Sequence, residues 1–202
     1  MKTDIILAGV GGQGILSIAA SLGAAALNEN YYLKQAETHG MSQRGGAVVS
    51  HLRIASAPIY SDLIPAGTAD LILSVEPMES LRYLPYLSPD GTLVTNTATF
   101  VNISNYPELE QSFEELSRSI NIIRIDADRI ARETGNPKAS NMVMLGAASP
   151  FIDIPHPIII HGIETIFKKK GKKIIRQNID AFHAGRAFAM EETVQKKIVK
   201  HL

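Results

Sequence analysis

The sequence predicts an α/β fold, Rossmann-like: a mostly parallel sheet with flanking helices and a helical C-terminal third. Three observations carry this. Apolar runs of strand length recur between residues 5 and 125, most of them leading into a helix-like segment. The first run ends in a glycine-rich turn directly before a helical stretch. Beyond Pro137 no strand is evident, and three helical segments fill the rest. At 202 residues, with neither a linker nor an internal repeat, residues 1–202 read as one domain.

Taken in order, Ile5 to Ala8 is apolar on successive residues, as in a parallel strand covered on both faces. Ile15 to Leu27 is a helix rich in small residues, closed by the turn-formers Asn28-Glu29-Asn30. Tyr31-Tyr32-Leu33 reads as a second strand, Glu37 to Gly46 as a polar loop, and Ala47 to Ile54 as an alternating, half-covered strand. So short a connection cannot hold a crossover helix, so an antiparallel partner or a local excursion is expected there. Asp70 to Val75 is a strand, and Glu76-Pro77 opens a helix running to Leu84 with proline in its tolerated first turn. Ser88-Pro89-Asp90-Gly91 reads as a turn before the strand Thr92 to Thr95. Ile120 to Ile125 is the last strand; the helix from Asp126 to Thr134 stops at Gly135-Asn136-Pro137. Ser140 to Ala148, Pro157 to Lys169 and Ile174 to Lys200 read as helices.

Composition excludes several functions. The chain has 45% hydrophobic and 20% charged residues, an ordinary globular balance. Its 20 basic and 20 acidic residues cancel, which gives no general drive toward nucleic acid or an anionic membrane. Cysteine is absent, so this chain makes no disulfide, no thiolate-held iron–sulfur cluster and no cysteine nucleophile. That fits a reducing compartment, and a cytoplasmic location is expected. Ile5 to Leu27 carries no charge and is long enough to span a bilayer, but the glycines from Gly9 to Gly14 break it into strand and helix.

Two motifs carry chemistry. Gly9-Val10-Gly11-Gly12-Gln13-Gly14 matches Gly-x-Gly-x-x-Gly between a strand and a helix. Glycine there permits a tight turn and close backbone approach, and the helix N-terminus offers unpaired N–H groups to an anion. Glu37 follows Gly14 by 23 residues, near the place where a dinucleotide fold puts its ribose-binding acid, so a stand-alone NAD(P)-dependent enzyme is one expectation. The alternative is that the glycines serve packing only. The second motif is the polar stretch Glu37, Thr38, His39, Gly40, Met41, Ser42, Gln43, Arg44, Gly45 and Gly46. Loops positioned by a sheet carry binding function disproportionately, and Arg44 suits a carboxylate or phosphate; a solvated turn is the bland alternative.

The segments GVGGQGILSIAASLGAAA and AETHGMSQRGGAVVSHLRI resemble the gamma-type domain of the 2-oxoacid:ferredoxin oxidoreductases, most closely the indolepyruvate branch. The likeness runs on through VEPMESLRYLPYLSPDGTLVTNT, Asn141 to Gly146, and Asn178, Ala181, Phe182 and Gly185, and is least between Phe100 and Arg118. The resemblance implies one subunit of an enzyme that oxidatively decarboxylates a 2-oxoacid, here an arylpyruvate such as indolepyruvate, to an acyl-coenzyme A while reducing ferredoxin. It implies that thiamine diphosphate and 4Fe–4S clusters sit on a larger alpha-type partner, and that this chain has no catalytic residue and helps form the coenzyme A or substrate approach. Family site positions carry onto Gly9, Gly11, Gly12, Gln13 and Gly14, and onto Glu37, Thr38, His39, Ser42, Arg44, Gly45 and Gly46.

The other candidates are weaker. His156 and His161 lack the spacing of a helical zinc pair, so no metal is expected. Lys168 to Lys173 with Arg176 is a basic run, read as solvated surface or as a contact to coenzyme A phosphates, an acidic ferredoxin or the partner subunit. No serine sits in a nucleophile elbow.

Overall fold

The computed structural model describes residues 1–40, 45–101 and 104–199, with side chains through Lys196. Strand β1 (Lys2–Val10) is buried from Thr3 onward and occupies the middle of a six-stranded sheet. The order is β2 (Tyr32–His39), β3 (Ala47–Ala55), β1, β4 (Ala69–Ser74), β5 (Leu87–Asn96), β6 (Asn121–Ile125). Strand β3 runs antiparallel to both β1 and β2, whereas β1, β4, β5 and β6 pair in parallel. The expected α/β class and the antiparallel excursion are both present.

Alternate residues of each strand serve opposite faces. Ile5, Leu7, Leu71, Leu73 and Val94 join the larger core with α1 (Ile15–Asn28), α4 (Ala127–Glu133), α5 (Ser140–Ala148), α6 (His156–Phe167) and α7 (Lys172–Val199). Ile6, Ile72, Leu93 and Ile122 join the smaller core, with Phe113 of α3 (Glu110–Leu116) and Leu81 of α2 (Pro77–Arg82).

Three expectations are corrected. Glu37, Thr38 and His39 belong to β2, not to a loop. The sequence marks only the start of this strand, at Tyr31-Tyr32-Leu33; its continuation to His39 is hidden because it is a sheet edge with no fully buried residue, so no apolar alternation marks it. Ser88 to Gly91 lies inside β5, where the pairing with β4 shifts register between Ala69 and Leu71; the turn chemistry marks an irregularity, not a break. Helix α3 falls in a stretch with no assigned element; its single buried residue, Phe113, gives too short an apolar pattern to read.

The helical third is locked by close backbone approach. A Cβ on Gly146 of α5 would collide with the carbonyl oxygen of Phe182, and one on Gly185 of α7 with that of Val143. The two glycines thus face each other's helix at one crossing. Gly162 of α6 meets Ser21 of α1 in the same way. Gly146→Ala or Gly185→Ala is therefore expected to cost about 1–3 kcal/mol of overpacking, roughly 2–4 °C in Tm per kcal/mol at this size. A thermal melt unchanged in both variants would contradict so tight a crossing.

At the opposite end of the sheet, Arg53 holds Asp4 through two hydrogen bonds, 2.8 and 3.0 Å, and donates to the carbonyls of Ser61 and Leu63. Buried His51 accepts from the N–H of Ile64 at Nδ1, 3.1 Å, pinning the same loop. Burial pushes the His51 pKa below its usual 6.5, with Arg53 assisting and Asp62 opposing. The unfolded chain therefore takes up this proton first. The stabilisation is complete above pH 6.5 and is lost as pH falls from there toward the depressed folded-state pKa. His51→Asn, which keeps an acceptor but cannot titrate, is expected to flatten stability between pH 7 and 5.5; an unchanged slope in denaturant melts would remove His51 as the cause.

Candidate functional site: the glycine turn and its cavity

The turn between β1 and α1 is held from within. Gln13 accepts from the Val10 N–H through Oε1, 2.8 Å, and donates its own N–H to the Val10 carbonyl, 3.2 Å. The Gly11 N–H donates to the Gly46 carbonyl, 2.9 Å, which ties the turn to the β2–β3 hairpin. Gly14 caps α1 in the left-handed region, φ 85°, where glycine alone is unstrained. Its carbonyl accepts from Ser17, Ile18 and the Asn141 side chain.

What these bonds leave over matters chemically. Among the described residues, no hydrogen bond uses the N–H groups of Gly12, Gly14, Ile15 or Leu16. Helix α1 also has no side-chain cap and no acid in its first turn. Its N-terminal partial charge is uncompensated, the state that favours an anion.

Beside the turn lies a cavity of about 310 Å³, lined by Gly12, Gln13, Gly14 and Ser17, and by Lys138, Asn141, Phe167, Lys170 and Asn178 with their neighbours Asn136 and Ile174. Residues from opposite ends of the chain meet here because α5 packs against both α1 and α7. Lys170 brings the basic run to the turn; Lys168, Lys172 and Arg176 instead rim a separate groove between α6 and α7 with Ile175 and Ile179.

The two predicted motifs divide. Gly9, Gly11, Gly12, Gln13 and Gly14 form the turn as expected, and Gly9 packs so tightly that a Cβ would strike Val75. Gly46 touches the turn and Gly45 lies beside it in the hairpin, where Phe100 would meet an added Cβ at 3.9 Å. Glu37, Thr38 and His39 do not line the cavity. Strand β3 separates them from β1, about 10 Å across two strand spacings. Glu37 faces its own neighbours: Oε1 lies 2.6 Å from Nε2 of His39, a charged contact only when the imidazole is protonated, and Oε2 accepts from Gln35. Buried Oε1 takes no hydrogen bond from the described residues. Ser42 and Arg44 lie outside the described residues.

This geometry disfavours the dinucleotide reading. A ribose-binding acid must stand at the end of the strand next to β1, and here the reversed β3 occupies that place. Sequence reasoning missed Lys138, Lys170, Asn141 and Asn178 as a group. Asn141 and Asn178 belong to family-like segments, but only the packing of α5 on α7 shows them sharing a wall.

Comparison with known proteins fixes the class. The family described as pyruvate ferredoxin/flavodoxin oxidoreductase matches residues 4–188, and the chain belongs to it. Within it, the chain is a subunit of a 2-oxoacid:ferredoxin oxidoreductase. It is similar to indolepyruvate oxidoreductase subunit IorB of Pyrococcus horikoshii, 36% identical, covering 93% of this chain and 96% of the relative. IorB of Archaeoglobus fulgidus is 34% identical over 92% of this chain and 94% of its own length. A 2-oxoglutarate synthase subunit, KorC of Methanothermobacter marburgensis, is 30% identical over 95% and 98%. Among solved structures, the gamma subunit of a keto/oxoacid ferredoxin oxidoreductase from Geobacter sulfurreducens superposes with TM-score 0.69 at 20% identity, covering 94% of this chain and 99% of that one. A chain of the Magnetococcus marinus 2-oxoglutarate:ferredoxin oxidoreductase gives 0.76 at 23% identity; this chain covers 31% of it and is itself covered to 94%. These two show the shared fold.

Gln13 tests how the turn is built. Gln13→Ala removes the acceptor of the Val10 N–H and is expected to cost about 1 kcal/mol, roughly 2–4 °C in Tm. An unaltered melt would mean that the turn holds without this bond.

Proposed function

We propose that this chain is the small subunit of an enzyme that converts an arylpyruvate such as indolepyruvate to an acyl-coenzyme A while reducing ferredoxin, and that its own part is to bind coenzyme A at the glycine turn. The observation that carries the binding role is the α1 N-terminus, whose N–H groups, unused by any hydrogen bond among the described residues, open beside a cavity lined by two lysines and, among those residues, no acid. The arylpyruvate assignment is supported by the full-length likeness to the IorB subunits, stronger than that to the 2-oxoglutarate subunits. Coenzyme A is supported by the Magnetococcus enzyme, whose structure holds it along with 2-oxoglutarate and succinyl-coenzyme A.

The chemistry assigned to this chain is binding and orientation. A chain without cysteine offers no thiolate to a 4Fe–4S cluster, and no group of three His, Asp or Glu among the described residues is placed to hold a metal. In this reading the thiamine diphosphate and the clusters belong to the larger alpha-type subunit, which is also the partner that hands electrons to ferredoxin. Gly12, Gly14 and Lys170 hold phosphate oxygens, and the exposed ring of Phe100 and side chain of Val101 stand at the same end of the sheet. No helix among the described residues is long and apolar enough to cross a membrane.

Reconstitution with the larger subunit tests the assignment. The complex is expected to reduce ferredoxin only with both a 2-oxoacid and coenzyme A present, with indolepyruvate preferred over 2-oxoglutarate by about tenfold or more in kcat/KM. The chain alone should show no turnover. Full activity without the larger subunit would overturn the division of labour, and an equal or reversed preference would overturn the substrate.

A further inference from the structure

The two edges of the sheet are finished differently. Strand β6 has only 5 residues, packs against α7, and has the carbonyl of Ile122 taken by the Lys196 ammonium. Short length, a lysine and a covering helix are the usual means of blunting a sheet edge. Strand β2 is left open: it runs for 8 residues without proline, and without a register shift against β3. The backbone groups it offers follow from the ladder. Gly40 donates to the Ala47 carbonyl, so that pair is hydrogen-bonded, and alternate residues back along the continuous register share its role. Tyr32, Lys34, Ala36 and Thr38 thus direct their N–H and C=O groups to β3. The bond from Gly11 to Gly46 gives the same phase from the other side, with even-numbered β3 residues serving β1 and odd-numbered ones β2. Leu33, Gln35, Glu37 and His39 therefore turn their backbone groups outward, and no hydrogen bond among the described residues reaches them.

A long edge without these devices is a template for another strand. We propose that the strand is a second copy of β2: two chains pair β2 with β2, antiparallel, about a two-fold axis at Ala36, and their sheets become one. The outward residues are all odd-numbered, so a two-fold-related copy meets them odd to odd, which keeps both copies' corresponding side chains on one face of the joined sheet. Three registers bring the strand centres together. An axis at Glu37 would set the two Glu37 carboxylates against each other, and one at Gln35 would set Glu37 against Leu33. An axis at Ala36 sets Gln35, an amide donor, against Glu37, and Lys34 against Thr38, with no like charges directly opposed. It also sets the half-exposed Tyr32 against Gly40, where no side chain obstructs the ring, and the small Ala36 against itself. The charges of the strand are thus accommodated by its own copy, which is why a second copy fits this edge. The interface lies two strands from the glycine turn and stands independently of what binds there.

Because the chain has no cysteine, one introduced at the axis reports the pairing directly. The facing Ala36 residues form a non-hydrogen-bonded pair with Cα atoms about 4.5 Å apart, within the roughly 4.4–6.8 Å range of disulfides. The full Ala36→Cys chain, mildly oxidised, should run mostly as a covalent dimer, and Glu114→Cys on the exposed face of α3 should not. In sedimentation the wild-type chain should be a dimer that Gln35→Pro weakens at least about tenfold, the size expected for one or two lost hydrogen bonds. Proline at position 35 removes an outward N–H and keeps the β2–β3 ladder; should that variant melt early, the cysteine variants read the same interface. Oxidised Ala36→Cys that stays monomeric like Glu114→Cys would overturn the pairing. So would a wild-type chain that is monomeric at every concentration, or a dimer that Gln35→Pro leaves intact. Loss of the dimer on reconstitution with the larger subunit would give the edge to that chain and overturn the second copy as its occupant.

Discussion

The constraint on which the rest of the structure depends is the reversed strand β3, inserted between β1 and β2. An ordinary βαβ unit would set β2 beside β1, with its acidic end residue at the glycine turn. Here β3 takes that position, pairing with β1 from Lys2↔Ala55 to Val10↔Ala47. The pairing delivers the hairpin to the turn, where Gly46 takes the Gly11 N–H, and it holds Glu37 two strands away. One backbone reversal thus closes the hairpin side of the turn and leaves the other side open to the cavity.

That other side is built by small residues at helix crossings. Gly146 against Phe182, Gly185 against Val143 and Gly162 against Ser21 let backbones approach where larger side chains would hold them apart. Two consequences follow. The helical third becomes part of the same core as the sheet, through Met142, Leu145, Ala181 and Phe182. It also carries Asn141, Lys170 and Asn178 to the end of β1, although they lie far from the glycine turn in sequence. Packing and the shape of the cavity are therefore coupled: what tightens the crossing positions the cavity wall.

Much of the fold was legible from residue patterns. The buried runs of β1, β4 and β6 are apolar on successive residues, and Pro137 and the α1 glycines mark real boundaries. The turn was legible because its motif is local. What stayed hidden was non-local or lacked apolar contrast. Strand β2 buries too little to show a period, and α3 anchors through Phe113 alone. The rest of the cavity wall had no joint signature in the sequence, since Lys138, Asn141, Lys170 and Asn178 become neighbours of the turn only through tertiary contact. Conversely, the spacing of Glu37 from the glycines imitated a dinucleotide site, because spacing along the chain is blind to strand order.

The central claim is that the open face of the glycine turn, on the α5–α7 side, is where this chain binds its ligand. Backbone amide shifts of the isotopically labelled chain, followed by NMR as coenzyme A is added, test it most directly. The account predicts saturable shifts concentrated at Gly12, Gly14, Leu16 and Lys170, with Glu37, Thr38 and His39 unmoved. Shifts centred on those three β2 residues, or no shifts at the turn, would contradict it.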